Sequence, residues 1–392
     1  MGAAIIADDL TGACDTGVQF VRHGFSTTVC RRVDALESQT TDILVLNTNS
    51  RNASPQGVRE KIERSCQLLK ASGRRLLYQK IDSMLRGYLA TQIDTAMRAT
   101  GHSLALLAPS FPVMGRKLVG GWLKTRESST TAVVHLPTVL REQGLKKVVH
   151  VDQQCVSCGK TAVLEQILKA YLTDVRVLVI DASCDNDLLV IAKAWEEMEP
   201  APLLVGSGGF ASQIASVHCK QQNTAAPGHS SSAYSEEGAR CSSVILLIGS
   251  NHTNTLRQLD ALLARSKPVV VLLDQSGANS MTLALQKSQD ILVRVDLGNK
   301  GHQAVLREWP QLFEAYSPLG LFLSGGDTAE LICDAFGVDA IELQGEILPG
   351  ISWGWLKGGL THGLAVGTKS GGFGDESVLV YAIDFFHGQN KQ

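Results

Sequence analysis

No stretch of this sequence is both apolar enough and long enough to cross a bilayer. The N-terminus also lacks a basic region followed by a long apolar segment, because Asp8 and Asp9 interrupt the first apolar run. The expectation is a cytoplasmic protein without an export signal or membrane partner. An excess of either charge is missing too. The 392 residues carry 36 Lys and Arg against 38 Asp and Glu, a formal net charge of −2, which argues against a nucleic-acid surface. Paired cysteine motifs are absent. The nine cysteines are odd in number, scattered and mostly in apolar surroundings, so reduced thiols fit better than a disulfide framework. Cys155-Val156-Ser157-Cys158 is a lone CxxC, without the second pair a zinc site would want or the thioredoxin-like setting of a redox motif. No metal-ligand set can be assigned, and no repeat at solenoid spacing occurs.

What is present begins at residue 3. Ala3 to Ala7 reads as a buried strand and stops at Asp8-Asp9, followed by Leu10-Thr11-Gly12-Ala13-Cys14-Asp15 at the start of a helical pattern. In open α/β sheets ligands sit at the carboxyl ends of the strands. One Asp would suffice to cap the helix, and three are found here. Strand-like runs then alternate with helix-length segments: Ile43 to Thr48, a helix from about Pro55 to Ala71, Leu76 to Asp82, a helix from about Tyr88 to Thr100, and Leu104 to Ala108. Later runs are Val148 to Val151, Val177 to Ile180 and Leu203 to Val205. The pattern breaks in a Ser-, Gly- and Glu-rich stretch and resumes at Val244 to Ile248. The expected fold is α/β with two domains, each a largely parallel sheet flanked by helices. The expected division is a substrate domain over 1–225, a linker over 226–243 and a nucleotide domain over 244–392.

The strand ends of the first half carry acids and bases. Asn47 to Arg51, Lys80 to Gly87 and Pro109 to Arg116 converge on one edge of a parallel sheet, which would place Asp8, Asp9, Asp15 and Asp82 beside Lys80, Arg51, Arg86 and Arg116. Arg forks hold carboxylates, and Asp accepts hydrogen bonds from sugar hydroxyls, so this mixture suits a small hydroxylated acid. The second half instead carries Gly249-Ser250-Asn251-His252, Ser324 to Ala329 and Thr368 to Asp375, each after a strand-like run. Glycines let backbone N–H groups approach phosphate oxygens. None of the three is a GxxxxGK[ST] loop or a clean GxGxxG, and each alone also reads as an ordinary turn. Asp327 or Asp375 could serve Mg²⁺. Trp353 and Trp355 fit either an adenine platform or the core.

These stretches together resemble the four-carbon acid sugar kinases. The matching residues are Ala7 to Ala13 with Asp15, Lys80 to Ser83 with Arg86-Gly87, and Pro109 to Arg116; in the second half they are Gly249-Ser250 with Thr255 and Gln258, Ser324 to Ala329, and Lys369 to Gly374. The resemblance implies an N-terminal domain for the acid sugar and a C-terminal domain for ATP, with phosphorylation of the terminal hydroxyl of threonate, erythronate or a 3-oxo relative. It implies that Asp8, Asp9, Arg51, Lys80 and Asp82 contact substrate, and that Ser250, Gly325, Gly326, Asp327, Thr328, Lys369, Gly371, Gly372 and Gly374 contact the nucleotide. Met84, where the family usually has Thr, and the short segment between Arg116 and Val148 depart from its pattern.

The mechanism expected from this reading is Mg²⁺·ATP-dependent transfer by in-line positioning. Asp82 is the first choice for the base, with Asp9 or Asp8 as the alternative, and Lys80 or Lys369 offsets charge on the transferring group. A regulator that binds ATP and sugar acid without turnover is the competing class, and a nicotinamide-dependent oxidoreductase a third. A homodimer is compatible with the sequence, although no surface stripe marks one.

Overall fold

The computed structural model describes residues 2–32, 40–125, 134–218, 241–274 and 277–389. Most of the stretch read as a linker lies outside the described residues. The chain forms two compact units, Met1–Thr27 with Leu36–Pro227, and Thr28–Ala35 with Gly228–Gln392.

The strands of the N-terminal half are β1 (Ala3–Ala7), β2 (Thr27–Cys30), β3 (Ile43–Asn47), β4 (Arg75–Lys80), β5 (Ala105–Ala108), β6 (Lys117–Val119), β7 (Trp122–Lys124), β8 (Val148–Val151), β9 (Val177–Ile180) and β10 (Leu203–Gly206). Seven of them form a parallel array in the order β3-β1-β4-β10-β5-β9-β8. Parallel strands covered on both faces read as unbroken apolar runs. Accordingly Ala4, Ile5, Ile6 and Ala7 of β1 are wholly buried. The helix Leu10–Val21 is buried from Leu10 to Phe20 and is capped by Asp9, whose side chain accepts from Gly12 N. The helix Pro55–Ala71 begins with Ser54 as cap and Pro at its first turn, and it buries Val58, Ile62, Cys66 and Leu69 along one stripe.

The winding of this sheet fixes where a ligand can bind. β3 lies on one side of β1 and β4 on the other, so the chain reverses its direction of winding at β1. Ala7 is in register with both Asn47 and Lys80, and Gly206 with both Lys80 and Ala108. The loops that follow β1, β3, β4, β10 and β5 therefore leave the sheet from one row. The antiparallel hairpin β6–β7 is a separate two-stranded ribbon.

The second unit contains β11 (Val244–Ile248), β12 (Val269–Val271), β13 (Ile291–Arg294), β14 (Gly320–Ser324), β15 (Ala340–Leu348), β16 (Ile351–Lys357) and β17 (Ala365–Lys369), in the order β12-β13-β11-β14-β17-β16-β15. The first five are parallel, β16 runs antiparallel to β17, and β15 antiparallel to β16. The β15–β16 hairpin has no counterpart in the sequence reading, because its polar and apolar residues alternate instead of forming a run. Trp353 and Trp355 lie in it at 5.6 Å between ring centroids, and Trp353 stands edge-on to Phe385 at 5.3 Å. Trp353 meets Phe385 of the C-terminal helix Val378–Gln389, and Trp355 packs on the hydrophobic core of this unit, which favours the packing reading.

Residues 28–30 of β2 belong to this second unit, where β2 neighbours β15. Arg31 secures the excursion. Its side chain is almost wholly buried, ion-pairs at 2.7 Å with both Glu330 and Asp334, and donates to the Val338 carbonyl at 2.7 Å. Nothing in the sequence pattern signals it.

Candidate functional site

In the first unit, the row of strand ends gathers the expected ionic cluster. Asp8 is wholly buried, and both of its oxygens are taken by Arg51, from Nη2 at 2.7 Å and from Nε at 3.1 Å. The same guanidinium donates to Asp9 from Nη1 and Nη2, each at 2.7 Å. Asp9 also accepts from Thr11 Oγ1 and from Gly12 N, both at 3.0 Å. Burial raises the Asp8 carboxyl above its ordinary range. Burial pushes Asp9 the same way, but Arg51 and then Lys80 outweigh it and hold Asp9 low.

This geometry changes two expected roles. Arg51 spends four donor contacts on Asp8 and Asp9, so it cannot fork a substrate carboxylate without giving one of them up. Asp8 is reached from the site through that guanidinium. In this structure both residues hold the cluster together.

Asp82 follows β4 in a tight turn, in which Leu85 N donates back to the Asp82 carbonyl at 2.9 Å and Leu85 takes the left-handed conformation at φ 61°. The turn brings Arg86 round to hold both Asp82 oxygens, Nε at 2.5 Å and Nη2 at 3.1 Å, with Arg51 at 3.7 Å behind. Burial works against ionisation, yet Arg51 and Arg86 together keep the Asp82 carboxyl well below the usual carboxylate range. A carboxylate so firmly ionised has little tendency to take a proton, which weighs against Asp82 as the base. Asp15, one turn into the first helix, is the contrasting case. Its Oδ1 accepts from Thr16 Oγ1 at 2.9 Å and stands 4.0 Å from Lys80 Nζ, and burial raises its pKa to about 6 despite that lysine.

Lys80 is 2 % exposed, and among the described residues its ammonium makes no hydrogen bond. A Cβ on residue 12 would stand 2.7 Å from Lys80 Nζ and 2.3 Å from Asp9 Oδ1. Glycine at position 12 is thus what lets this lysine reach the cluster. Arg116 donates to Ser83 Oγ, and it is presented by the Phe111–Arg116 bridge, closed by Gly115 at φ 72°. Of the expected residues, the structure brings together Asp8, Asp9, Asp15, Arg51, Lys80, Asp82 and Arg86, and it ties Arg116 to them through Ser83.

In the second unit a single row of the sheet, Arg294–Ile248–Ser324–Lys369, is in register across four strands. All three glycine loops start from it. β13 flanks β11 on one side and β14 on the other, so the winding reverses between Gly249-Ser250 and Ser324-Gly325. The helix Gly326–Ala335 opens there, with Gly325 at φ 107°, and its first intrahelical bond is Ala329 N to Gly325 O. The N–H groups of Gly326, Asp327 and Thr328 are left over, as in the first turn of any α-helix. Thr328 Oγ1 and Ser324 Oγ are both buried and, among the described residues, have no hydrogen-bond partner. An orphaned buried hydroxyl costs about 1–3 kcal/mol, which a bound acceptor returns. A Cβ at residue 249 would stand 2.3 Å from Thr328 Oγ1, and one at 371 would stand 2.3 Å from Ser250 Oγ.

The loop after β17 is held from inside by its carbonyls. Thr255 Oγ1 donates to Gly371 O at 2.8 Å, Asn254 Nδ2 to Gly372 O at 3.2 Å, and Gln258 Nε2 to Phe373 O at 3.0 Å and Gly374 O at 3.1 Å. Lys369 Nζ donates to the carbonyls of Ser370 and Gly371 at 3.2 and 3.1 Å. A glycine loop whose carbonyls are held from inside can turn its N–H groups toward an anion.

Lys369 is wholly buried, burial lowers its pKa to about 7, and its ammonium is directed at the carbonyls of its own loop. Asp327 is exposed in the first turn of its helix, whereas Asp375 Oδ1 is committed to Ser377, from N at 3.0 Å and Oγ at 2.8 Å. The sequence marks Thr255 and Gln258 as matching residues but not as supports of this loop, and it does not mark Arg294 as part of this row. Arg294 ends a short strand that no pattern marked. Cys155 and Cys158 are unpaired thiols, and no cluster of metal-ligating side chains occurs among the described residues. No helix among the described residues is long and apolar enough to cross a membrane.

Comparison with known proteins bears on both units. A family model described as a sugar-binding N-terminal domain matches residues 3–214, and one described as a nucleotide-binding C-terminal domain matches residues 303–379. The chain is 29 % identical to a D-threonate kinase of Bordetella bronchiseptica over 96 % of both chains. It is 26 % identical to a D-erythronate kinase of Heliobacterium modesticaldum over 97 % of this chain and 96 % of the relative. It is 23 % identical to a 3-oxo-tetronate kinase of Brucella melitensis over 97 % and 95 %. In fold it is similar to the crystal structure of Haemophilus influenzae protein HI1011, with a TM-score of 0.73 at 20 % identity over 98 % of this chain and all of the other. With a sugar-binding family match covering more than half of its length and a nucleotide-binding match behind it, the chain belongs to the four-carbon acid sugar kinase family.

Proposed function

We propose that this protein transfers the terminal phosphoryl group of ATP to the terminal hydroxyl of a four-carbon sugar acid. The observation that carries the reading is Lys80, a buried cation with unspent hydrogen-bond donors, set among Asp9, Asp15 and Asp82 at the reversal point of a parallel sheet. A cation in that position is matched to an anionic ligand, and the surrounding carboxylates to its hydroxyls.

The roles follow from what each side chain has left to give. Lys80 takes the substrate carboxylate or the charge that builds on its reacting end, with Arg116 and Ser83 beside it. Asp9 accepts a hydroxyl. Asp15 replaces Asp82 as the group that receives the proton, because its pKa near 6 makes it a usable acceptor around neutrality. Asp82 positions Arg86. In the second unit, the Gly249-Ser250, Gly325 to Thr328 and Gly371 to Gly374 loops take the phosphates. Asp327, exposed in the first turn of its helix, would hold a Mg²⁺ ion, which would neutralise phosphate charge.

The defining experiment is ADP release with Mg²⁺·ATP against stereoisomeric threonates, erythronates and their 3-oxo forms, beside aldonates of other lengths. Release with one four-carbon acid is the expected result. Silence across the panel with ATP binding intact would replace the kinase reading with a binding protein.

Asp15→Asn tests the proton acceptor through two readouts. Turnover is expected to fall about 10²–10⁴-fold. Stability is expected to rise. The folded-state carboxyl keeps its proton to about pH 6, against 3.8 for an ordinary aspartate. Folding stability contributed by this group is thus lost as pH rises from about 4 through about 6 and stays lost above. Asparagine avoids that loss, so the variant gains about 3 kcal/mol at pH 8 and almost nothing near pH 4. Urea unfolding at both pH values measures the difference, and an equal effect at the two would remove Asp15 from the role.

A further inference from the structure

A pocket of about 450 Å³ opens beside the phosphate loops of the second unit, among Gly249, Asn251, Arg294, Asp296, Leu297 and His302. Gly249 and Asn251 belong to the first glycine loop, whereas neither the sequence pattern nor the nucleotide-binding family match, which starts at residue 303, assigns a role to Arg294, Asp296, Leu297 or His302. The volume lies within the range of small-ligand sites. Its chemistry is asymmetric. Arg294 donates from Nη2 to Asn251 Oδ1 at 2.9 Å, while its Nη1 is buried without a partner, and among the described residues no carboxylate pairs with it. A half-buried guanidinium left without a counter-charge favours an anion in the adjoining space.

The neighbouring turn is built for a different group. Asp296 lies two residues beyond the end of β13 and is exposed. Its Oδ1 accepts from Gly298 N at 3.0 Å, and its own N–H donates to His302 Nδ1 at 3.1 Å, so the turn is pinned from both sides. β13 flanks β11 on the side away from β14. In open α/β sheets a carboxylate at the end of that neighbouring strand accepts from a ribose hydroxyl when the phosphates lie on the loop of the first strand. Gly249 is common to the pocket and to the crevice, since a Cβ there would stand 2.3 Å from Thr328 Oγ1 and 3.0 Å from Val295 O.

We infer that this pocket takes the ribose and the first phosphate of the nucleotide, with Asp296 accepting a ribose hydroxyl and Arg294 pairing with the phosphate nearest the sugar. The assignment deepens the nucleotide reading of the second unit and rests on it. Leu297 supplies an apolar wall beside the sugar.

The test is calorimetric titration of the full chain with ADP and with 2′-deoxy-ADP. The wild type is expected to bind ADP about tenfold more tightly than the deoxy form, the size of one lost charge-assisted hydrogen bond. Asp296→Asn, which keeps the Oδ1 acceptor of the turn, is expected to erase that preference. Arg294→Gln is expected to weaken both nucleotides about tenfold and to flatten the salt dependence of binding, while Arg294→Lys retains the salt dependence. Wild-type binding of ADP with both variants inside twofold of it would overturn the inference and leave the nucleotide reading standing. Failure of the wild type to bind ADP would overturn both.

Discussion

Arg51→Ala is expected to destabilise the folded protein by about 3–5 kcal/mol at pH 8, the cost of leaving buried carboxylates without their counter-ion. Asp8 is wholly buried and Asp9 is 8 % exposed, and between them they receive four donor contacts from this one guanidinium. Removing it strands two adjacent carboxylates in a site with little water to solvate them. The loss has a direction in pH. Protonation of either acid relieves the repulsion, so the gap between variant and wild type narrows as pH falls toward 4. Arg51→Lys keeps a charge but cannot fork toward two carboxylates, and it falls between. Urea unfolding at pH 8 and pH 5 gives both quantities. A change below 1 kcal/mol at pH 8 would mean that the cluster solvates its acids in some other way. Because asparagine in place of Asp15 acts in the opposite direction, the two variants separate a carboxylate the fold needs ionised from one it tolerates only for its chemistry.

Lys80→Met is expected to lower kcat by about 10²–10³, which is ~3–4 kcal/mol of lost charge stabilisation, while the affinity for ADP stays within twofold. The lysine belongs to the first unit and the phosphate loops to the second, so nucleotide binding measured alone should not register its loss. Methionine preserves the length of the side chain. Gly12 gives the lysine its room, since a Cβ at residue 12 would stand 2.7 Å from Nζ. Stability is measured alongside. An activity loss accompanied by an intact unfolding transition assigns the effect to the reaction, and kcat within threefold of wild type would remove Lys80 from it.

Much of this arrangement is legible in the residues themselves. The run Ala3 to Ala7 ending in Asp8-Asp9, the run into Lys80, and the helix Pro55–Ala71 are all announced by apolar periodicity and by the Ser-Pro start. Because a parallel sheet aligns its carboxyl ends, chemistry placed after each run lands in one row. What stays illegible is the division of labour inside that row. Asp8, Asp82 and Asp15 look alike in sequence. One is locked to Arg51, one is chelated by Arg86, and one is shielded until its pKa climbs to about 6. Those differences arise from distances between elements far apart in the chain. The carbonyls around Lys369 are hidden for the same reason, since a lysine before a glycine loop shows nothing in sequence of what it donates to. The hairpin from Ala340 to Lys357 escapes because its alternation of polar and apolar residues carries no run to count.

The excursion of residues 28–32 into the second unit decides how this chain can be taken apart. A fragment cut at the expected linker and begun at residue 228 would contain every glycine loop, yet it would lack Arg31 and the strand beside β15. Glu330 and Asp334 would lose their shared cation on the very helix whose first turn presents Thr328. Two genes made from this one at that point would not encode two self-sufficient proteins. A workable dissection has to carry the early strand with the later half, either as a supplied peptide or through a permuted chain that begins near residue 28.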